Sequence, residues 1–159
     1  MSPAPVSPAP RMPFMQAINE DNGAGFRKDL ALFSSAGIPT AAGPTDLYLL
    51  APEDGNLHSV EFSTSAALAP NATNYVTFTL VNLGQDGLGV MNMLEASLRN
   101  NTQIGGANIV ANSRLVLPVS ALKGALVVKA GDRLKFTTTV TGTLGGALPN
   151  VNVLFRFAS

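Results

Sequence analysis

The fold class is decided by a nine-residue stretch, Asn74-Tyr75-Val76-Thr77-Phe78-Thr79-Leu80-Val81-Asn82. Apolar side chains occupy every second position, threonines lie between them, and β-branched residues are frequent. In a strand, successive side chains point to opposite faces, so this alternation places the apolar set on one side. The stretch is predicted to be a β-strand with one buried face, ended by the turn residues 83–87.

Seven other stretches have the same kind of strand signature, and turn-forming residues separate them. They are residues 46–51, 57–63, 90–99, 115–119, 126–129, 133–140 and 151–157. The first two flank the turn 52–56 and are expected to pair as a hairpin. Pro118 predicts an edge position for 115–119, because proline cannot donate a hydrogen bond within a central strand. Residues 90–99 also fit a helical period, and they are assigned as a strand because their neighbours are strands.

Eight strands at this spacing predict an all-β fold, an antiparallel β-sandwich or barrel. Among these architectures we favour the eight-stranded jelly roll, in which two four-stranded sheets pack face to face. This β-sandwich domain is predicted to span residues 45–159.

The first 44 residues have a different character. Seven of the eleven prolines lie there, and the segment opens with the near-repeat Ser2-Pro3-Ala4-Pro5 and Ser7-Pro8-Ala9-Pro10. Proline fixes φ and lacks an amide donor, so this part is predicted to be extended and to stay out of central strands. A Pro-rich end is ordinarily a disordered tail, but residues 14–38 are too apolar for one. Residues 1–44 are therefore predicted to form an extended arm that a partner surface holds.

Six apolar residues are the predicted anchors of this arm: Phe14, Met15, Ile18, Phe26, Leu30 and Phe33. The alternative is that these side chains pack on the chain's own β-domain. The near-helical spacing of Phe26, Leu30 and Phe33 also predicts a short helix from Phe26 to Ser35, ended by Gly37 and Pro39.

The composition limits the classes of function. Apolar residues make up 46% of the chain and charged residues only 13%, about half of the share usual in soluble proteins. We expect a surface so poor in charge to be covered by another molecule. Ten basic and ten acidic residues give a net charge of +0, which argues against nucleic acid as the partner. Neither a signal-peptide core nor an apolar run near the roughly 18 residues of a membrane span is found, so we expect cytoplasmic synthesis and no membrane insertion.

Few residues could carry catalysis. The chain has no cysteine, no tryptophan and one histidine, which excludes thiol catalysis and disulfides and argues against structural zinc. That histidine, His58, is predicted to lie at the edge of an inward strand face that also carries Val60 and Phe62. An enzymatic alternative would use His58, Glu61 or Asp132. The stronger expectation is a structural or binding protein without enzymatic activity.

The acidic residues are better explained by turns than by metal binding. Glu53, Asp54 and Asn56 offer oxygen atoms, but their spacing lacks the repeated acids of a calcium loop. Asp132 precedes a strand and is predicted to accept hydrogen bonds from the backbone. The glycines lie between strands and open no helix, so they form no phosphate-binding loop. We therefore expect no metal and no cofactor.

Carbohydrate binding is a second possible function, because jelly rolls often serve as lectins. Two loops, Gln85 to Gly89 and Gly142 to Pro149, are the predicted places for such a site. The aromatic residues argue against it, since sugar platforms rely on exposed rings. The chain has only Tyr48 and Tyr75 beside eight phenylalanines that mostly suit a core.

Three stretches carry a resemblance to a known family. They are Ala72 to Leu80, Leu126-Val127-Val128-Lys129-Ala130-Gly131-Asp132-Arg133-Leu134, and the closing hairpin from Thr141-Gly142-Thr143 to Val151-Asn152-Val153. With the preceding apolar arm, they make the chain resemble the jelly-roll decoration, or cement, proteins of tailed bacteriophage heads. The likeness covers roughly the carboxy-terminal two-thirds and consists of strand and turn patterns. Head fibres and tail-associated β-domains look similar.

The resemblance implies a role and partners. In that family the β-domain commonly forms a homotrimer, and an amino-terminal arm lies across the shell of the major capsid protein. It therefore implies a structural protein on the exterior of the virion capsid, which stabilises the head. The alternative is a head-fibre or tail-associated domain that binds a host-surface glycan or receptor. The long Pro-rich arm departs from the simpler members of the family.

Overall fold

The computed structural model describes the backbone of residues 27–33 and all atoms of residues 37–158. This part contains nine strands and no α-helix, and a single 3-10 turn covers Leu98–Asn100. The strands are β1 Arg27–Phe33, β2 Gly43–Leu50, β3 Gly55–Ser63, β4 Tyr75–Asn82, β5 Met91–Asn92, β6 Leu115–Leu117, β7 Val127–Val128, β8 Arg133–Thr141 and β9 Asn152–Ala158. The predicted all-β class is confirmed, and eight of the strands, β2 to β9, follow one another after residue 42.

The strands form two antiparallel sheets. The order in the five-stranded sheet is β1-β9-β3-β6, with β7 also paired to β3, and the order in the four-stranded sheet is β2-β8-β4-β5. Every strand pair is antiparallel, as predicted. In both sheets the paired strands are mostly far apart in sequence. The short strand β6 lies at a sheet edge, in agreement with the prediction from Pro118.

One hydrophobic core lies between the two sheets, so the predicted sandwich is confirmed. Four fully buried phenylalanines connect the sheets across this core: Phe62 and Phe155 come from the five-stranded sheet, and Phe78 and Phe136 from the four-stranded sheet. The ring centroids of Phe62 and Phe78 are 4.8 Å apart, and those of Phe136 and Phe155 are 6.0 Å apart. Aromatic pairs at these distances stabilise a core beyond the area that they bury.

The predicted hairpin between residues 46–51 and 57–63 is wrong. Strand β2 pairs with β8 over eight residues, whereas β3 pairs with β9 in the opposite sheet. The turn after β2 therefore passes the chain from one sheet to the other. Alternation of side chains shows that a stretch is a strand, but it does not specify the partner strand.

The prediction for His58 is also wrong, because β3 contains an irregularity. The register with β9 shifts between Leu57 and Ser59. An extra residue in a strand reverses the alternation of faces. Leu57 is consequently buried together with Val60 and Phe62, and His58 is exposed.

The predicted helix from Phe26 to Ser35 is replaced by a strand where the chain is described. Residues Arg27–Phe33 pair with β9 over seven positions, from Arg27 opposite Ala158 to Phe33 opposite Asn152. The edge of β9 offers hydrogen-bond partners to the backbone of this segment. Pairing with them is favoured over the helix that the apolar spacing would also allow. Leu30 and Phe33, two of the predicted arm anchors, therefore belong to a sheet of the domain. The other four, Phe14, Met15, Ile18 and Phe26, lie outside the described residues.

The predicted strand over residues 90–99 is mostly wrong. Only Met91–Asn92 forms a strand, and residues 98–100 form the 3-10 turn. Between them, Leu94 bridges to Val119, so the chain crosses from the four-stranded sheet towards β6. Because the segment crosses between the sheets, only two of its residues pair with β4 as a regular strand.

Candidate functional site

The carboxylates considered for catalysis are engaged in structural contacts. Glu61 accepts hydrogen bonds from Arg156 Nε at 3.0 Å and Arg114 Nη1 at 3.2 Å. Asp132 Oδ2 accepts from the Lys129 backbone amide and the Asn82 side-chain amide, each at 2.9 Å. The prediction that Asp132 binds backbone donors is therefore confirmed. The contacts of both carboxylates hold neighbouring segments of the fold together.

Asp54 fixes the turn between β2 and β3. Its carboxylate accepts from the Ala130 backbone amide at 2.9 Å and from Lys129 Nζ at 3.3 Å. The Ala130 amide, followed by the Lys129 ammonium group, holds the pKa of Asp54 below its ordinary value of 3.8. Over residues 37–158, no group of three histidine, aspartate or glutamate side chains comes close enough to hold a metal ion. The contacts of Asp54 agree with its assignment to a turn.

The two loops predicted for a glycan site lie at opposite ends of the four-stranded sheet. Strands β4 and β8 pair with Tyr75 opposite Thr141 and Asn82 opposite Leu134. The loop after Asn82 therefore leaves the sheet at one end, and the loop after Thr141 leaves it at the other. A single site cannot include both loops. Of the two tyrosines, Tyr48 is exposed and Tyr75 is half-buried.

Exposed apolar side chains are concentrated in one segment of the described chain. Eleven large apolar residues are exposed in residues 37–158, and five of them lie between residues 88 and 104. We call this set the apolar edge; it consists of Leu88, Val90, Met91, Leu98 and Ile104. Leu88 is 79% exposed and Val90 is 88% exposed. The set runs along β4, with Met91 opposite Asn82 at one end and Asn101, between Leu98 and Ile104, bridged to Thr77 towards the other. Exposed apolar side chains on a surface are candidates for contact with another molecule.

The apolar edge is held along the outer side of β4. The Met93 amide donates to the Leu80 carbonyl at 2.8 Å, and the Thr102 amide donates to the Val76 carbonyl at 2.9 Å. Met93 is fully buried and anchors the segment in the core. At Gly89 the chain passes so close to β4 that a β-carbon would lie 2.5 Å from the Asn82 carbonyl oxygen. The exposed side chains are therefore presented by a well-anchored backbone.

Two buried polar atoms accompany this segment. Ser97 Oγ and Asn100 Oδ1 have no hydrogen-bond partner in the described part of the chain. The amide nitrogen of the same Asn100 side chain donates to the Glu95 carbonyl at 2.6 Å and to the Pro118 carbonyl at 3.0 Å. Buried polar atoms are nearly always satisfied by protein or water. The turn over residues 97–100 thus has room in its hydrogen bonding for an internal water molecule.

The outward face of the four-stranded sheet is rich in threonine. Thr137, Thr139 and Thr141 alternate on β8 with buried inward residues, and Thr77 and Thr79 lie opposite them on β4. Threonine is favoured in strands, and its hydroxyl group is polar without being charged. This face accounts for part of the low charge of the chain without any bound partner.

The apolar edge could have been noticed in the sequence. The segment 88–91 follows a turn. It lacks the alternation of polar and apolar residues that would give a strand one face towards water. The assignment of residues 90–99 to a strand concealed this signal, because apolar residues in a strand are expected to face the core.

Comparison of the chain with protein-family models gives no match, and comparison with curated proteins gives none either. In the described residues, no helix has both the length and the apolar character needed to cross a membrane. The functional argument therefore rests on the fold and its surfaces.

Proposed function

We propose that this chain is a structural protein of a tailed bacteriophage virion. It decorates the exterior of the capsid and cements the shell by binding the major capsid protein. It acts by adhesion rather than by turnover, and it assembles on the particle in the host cytoplasm. The residues that precede β1, which are the rest of the predicted arm, and the apolar edge are the proposed contact regions.

The strand order supports a jelly-roll fold for this protein. In a jelly roll, the two halves of the chain run side by side and distribute their strands between two sheets. The orders β1-β9-β3-β6 and β2-β8-β4-β5 have this character, since the first strand pairs with the last and β2 pairs with β8. A fold of this kind hosts many functions, so the fold alone does not carry the proposal.

The apolar edge is the observation that carries the proposal. Burying a large apolar side chain stabilises a complex by about 1.5–3 kcal/mol when the side chain was fully exposed. Five partly to largely exposed residues therefore contribute on the order of 10 kcal/mol at most. Association itself costs about 4–15 kcal/mol. One edge on a single molecule gives weak attachment, which is why further contacts are required.

A homotrimer with three arms would supply these contacts. Linked binding elements raise the local concentration of one another, so three weak attachments hold far more tightly than one. Capsid subunits joined in this way separate only when several contacts break together. This gives a cement protein its mechanical effect on a pressurised shell.

The proposal is tested by placing charge on the apolar edge. We expect Leu88→Lys combined with Val90→Lys to reduce co-sedimentation with phage heads that lack the protein by at least about tenfold. Both positions are highly exposed, so the fold should be retained. Leu122→Lys is the matched control, because Leu122 is 71% exposed and lies outside the edge. Normal head binding by the double variant would contradict the proposal.

A further inference from the structure

A half-open surface pocket, which we call the polar cavity after its lining residues, lies at one end of the five-stranded sheet, where β3 ends and β9 begins. Its volume is about 340 Å³. The cavity is lined by six uncharged residues: Ser63, Thr64, Ser65, Asn112, Asn150 and Asn152. Ser63 and Asn152 face each other in the register of β3 and β9, so the sheet itself fixes one wall.

Two of the lining residues have an unusual backbone conformation. Asn112 has φ 57° and Asn150 has φ 52°, and they are the only non-glycine residues with positive φ in the described part of the chain. Asparagine tolerates this left-handed conformation better than most residues, but a glycine would adopt it more easily. Both left-handed positions thus retain a side chain, and both side chains line the same cavity.

Hydrogen bonds hold the cavity walls in place. The Pro149 carbonyl accepts from Thr64 Oγ1 at 2.5 Å, and the Thr64 carbonyl accepts from the Asn112 backbone amide at 2.8 Å. Asn150 Nδ2 donates to Ser65 Oγ at 3.0 Å. The walls come from three separate segments of the chain and are therefore cross-linked before any ligand arrives.

Several polar groups remain available after these contacts. Within the described residues, the Ser63 hydroxyl and the side-chain amide of Asn112 make no hydrogen bond. The side-chain oxygens of Asn150 and Asn152 accept none, although the Asn152 amide nitrogen donates to the Asn150 carbonyl at 3.2 Å. The cavity therefore offers donors and acceptors side by side, as asparagine and serine side chains provide.

We propose that this cavity binds the hydroxyl groups of a neutral saccharide. No charged side chain lines it, so it lacks the charge-assisted hydrogen bonds and the carboxylate ligands that favour anions and metal ions. No aromatic or aliphatic side chain lines it either, which disfavours an apolar ligand. Sugar hydroxyls donate and accept at once, and neighbouring hydroxyls match the paired donor and acceptor of an asparagine amide.

The lining also sets the expected affinity. Because the cavity has no aromatic platform, a single sugar unit binds by hydrogen bonds alone. At the binding free energy per non-hydrogen atom that is usual for drug-sized ligands, one sugar unit has a dissociation constant of about 1 mM. Useful affinity for a surface polysaccharide would then come from several copies of the cavity on one particle.

The proposal is tested by nuclear magnetic resonance titration of the full-length protein with glucose, galactose, mannose and N-acetylglucosamine. At least one sugar should give saturable shifts of the backbone amides around residues 63–65, 112 and 150–152. Asn112→Gly should weaken this binding at least about tenfold while easing the left-handed backbone at that position. Asn108→Gly is the control, because Asn108 is exposed and lies outside the lining.

Each other outcome overturns the proposal. These outcomes are no saturable shift with any of the four sugars, shifts confined to another surface, and shifts that Asn112→Gly leaves unchanged. Shifts caused by a Gly-Ser peptide and by no sugar would assign the cavity to a peptide partner instead. Sugar binding is independent of capsid attachment, so the double lysine variant at Leu88 and Val90 should retain it.

Discussion

Glu61 lies on the outward face of β3, yet it is only 8% exposed. The arginines that contact it come from different segments: Arg156 from β9 and Arg114 from the loop before β6. A buried carboxylate is costly unless its charge is compensated. Here the two guanidinium groups supply that compensation and connect three segments of the five-stranded sheet.

We expect Glu61→Gln to lower the free energy of unfolding by about 1–3 kcal/mol, because charge-assisted hydrogen bonds become neutral ones while the shape is kept. Urea denaturation followed by circular dichroism measures the change. Lys135→Gln is the control: Lys135 Nζ lies 3.9 Å from Asp46 Oδ2, both side chains are one-third exposed, and the hydrogen bond from Thr137 to Asp46 is left in place. That pair is expected to contribute less than about 1 kcal/mol. Equal stability of Glu61→Gln and the wild type would show that the arginine contacts do not stabilise the fold.

At the scale of elements, the connection from β8 to β9 depends on a close approach at its first residue. Gly142 has φ +72°, and a β-carbon there would collide with the Thr73 carbonyl oxygen and with Asn74 Oδ1. Asn74 Oδ1 also accepts from the Thr143 amide at 3.1 Å. The loop between β8 and β9 is thus attached to the chain that enters β4.

Gly142→Ala is expected to destabilise the protein by about 1–3 kcal/mol, since it combines a strained backbone with a steric conflict. The same loop offers a control in Gly145→Ala, where a β-carbon meets nothing within 4 Å and φ is not in the left-handed region. That change should stay within about 0.5 kcal/mol of the wild type. Thermal unfolding of both variants measures the difference. A tolerated Gly142→Ala would mean that the loop can shift away from Thr73.

Local patterns predicted most strands but not their partners. Strands β4, β8 and β9 were found from alternation alone, because one face of each lies in the core. The partner of β2 was missed, since a turn that crosses between sheets looks like a hairpin turn in sequence. Strand β1 was missed because apolar residues three or four apart also fit a helix, and the edge of β9 decided between the two.

The surfaces were harder to predict than the strands. The register shift in β3 has no sequence signal comparable to a glycine or proline, so the exposure of His58 was not foreseen. The polar cavity combines residues near positions 64, 112 and 150, which are brought together only by the fold. The sequence shows that the residues of the apolar edge are apolar. Their exposure depends on the crossing of the chain between sheets after β5, which the sequence does not show.

At the scale of the whole molecule, the low charge has several origins. The core takes up many apolar residues from both sheets, and the outward face of the four-stranded sheet carries several threonines beside a few charges such as the Asp46–Lys135 pair. The apolar edge holds five of the eleven large apolar side chains that are exposed in residues 37–158, and the other six are spread over several strands and loops. Low overall charge therefore reflects the core, the threonine face and a surface on which the apolar edge is the densest run of exposed apolar side chains along the sequence.

The pairing of β1 with β9 makes a prediction about where the chain can be shortened. Deletion of residues 1–26 spares every strand pair of the described sheets, so it should lower the free energy of unfolding less than a deletion that also removes β1. Deletion of residues 1–36 removes β1 and its seven-residue pairing with β9. At roughly 0.5–1.5 kcal/mol for each net hydrogen bond, that deletion should cost several kcal/mol, a large share of the stability of a typical domain.

The longer deletion should also change association. Without β1, strand β9 becomes a sheet edge with unpaired backbone groups, and such edges promote aggregation. Urea denaturation and size-exclusion chromatography of both truncated proteins test the two effects together. If deletion of residues 1–36 left stability and association unchanged, β1 would not be an integral strand of the five-stranded sheet. If deletion of residues 1–26 were equally damaging, residues before β1 would be required for the fold, and their proposed role in capsid contact would need a separate demonstration.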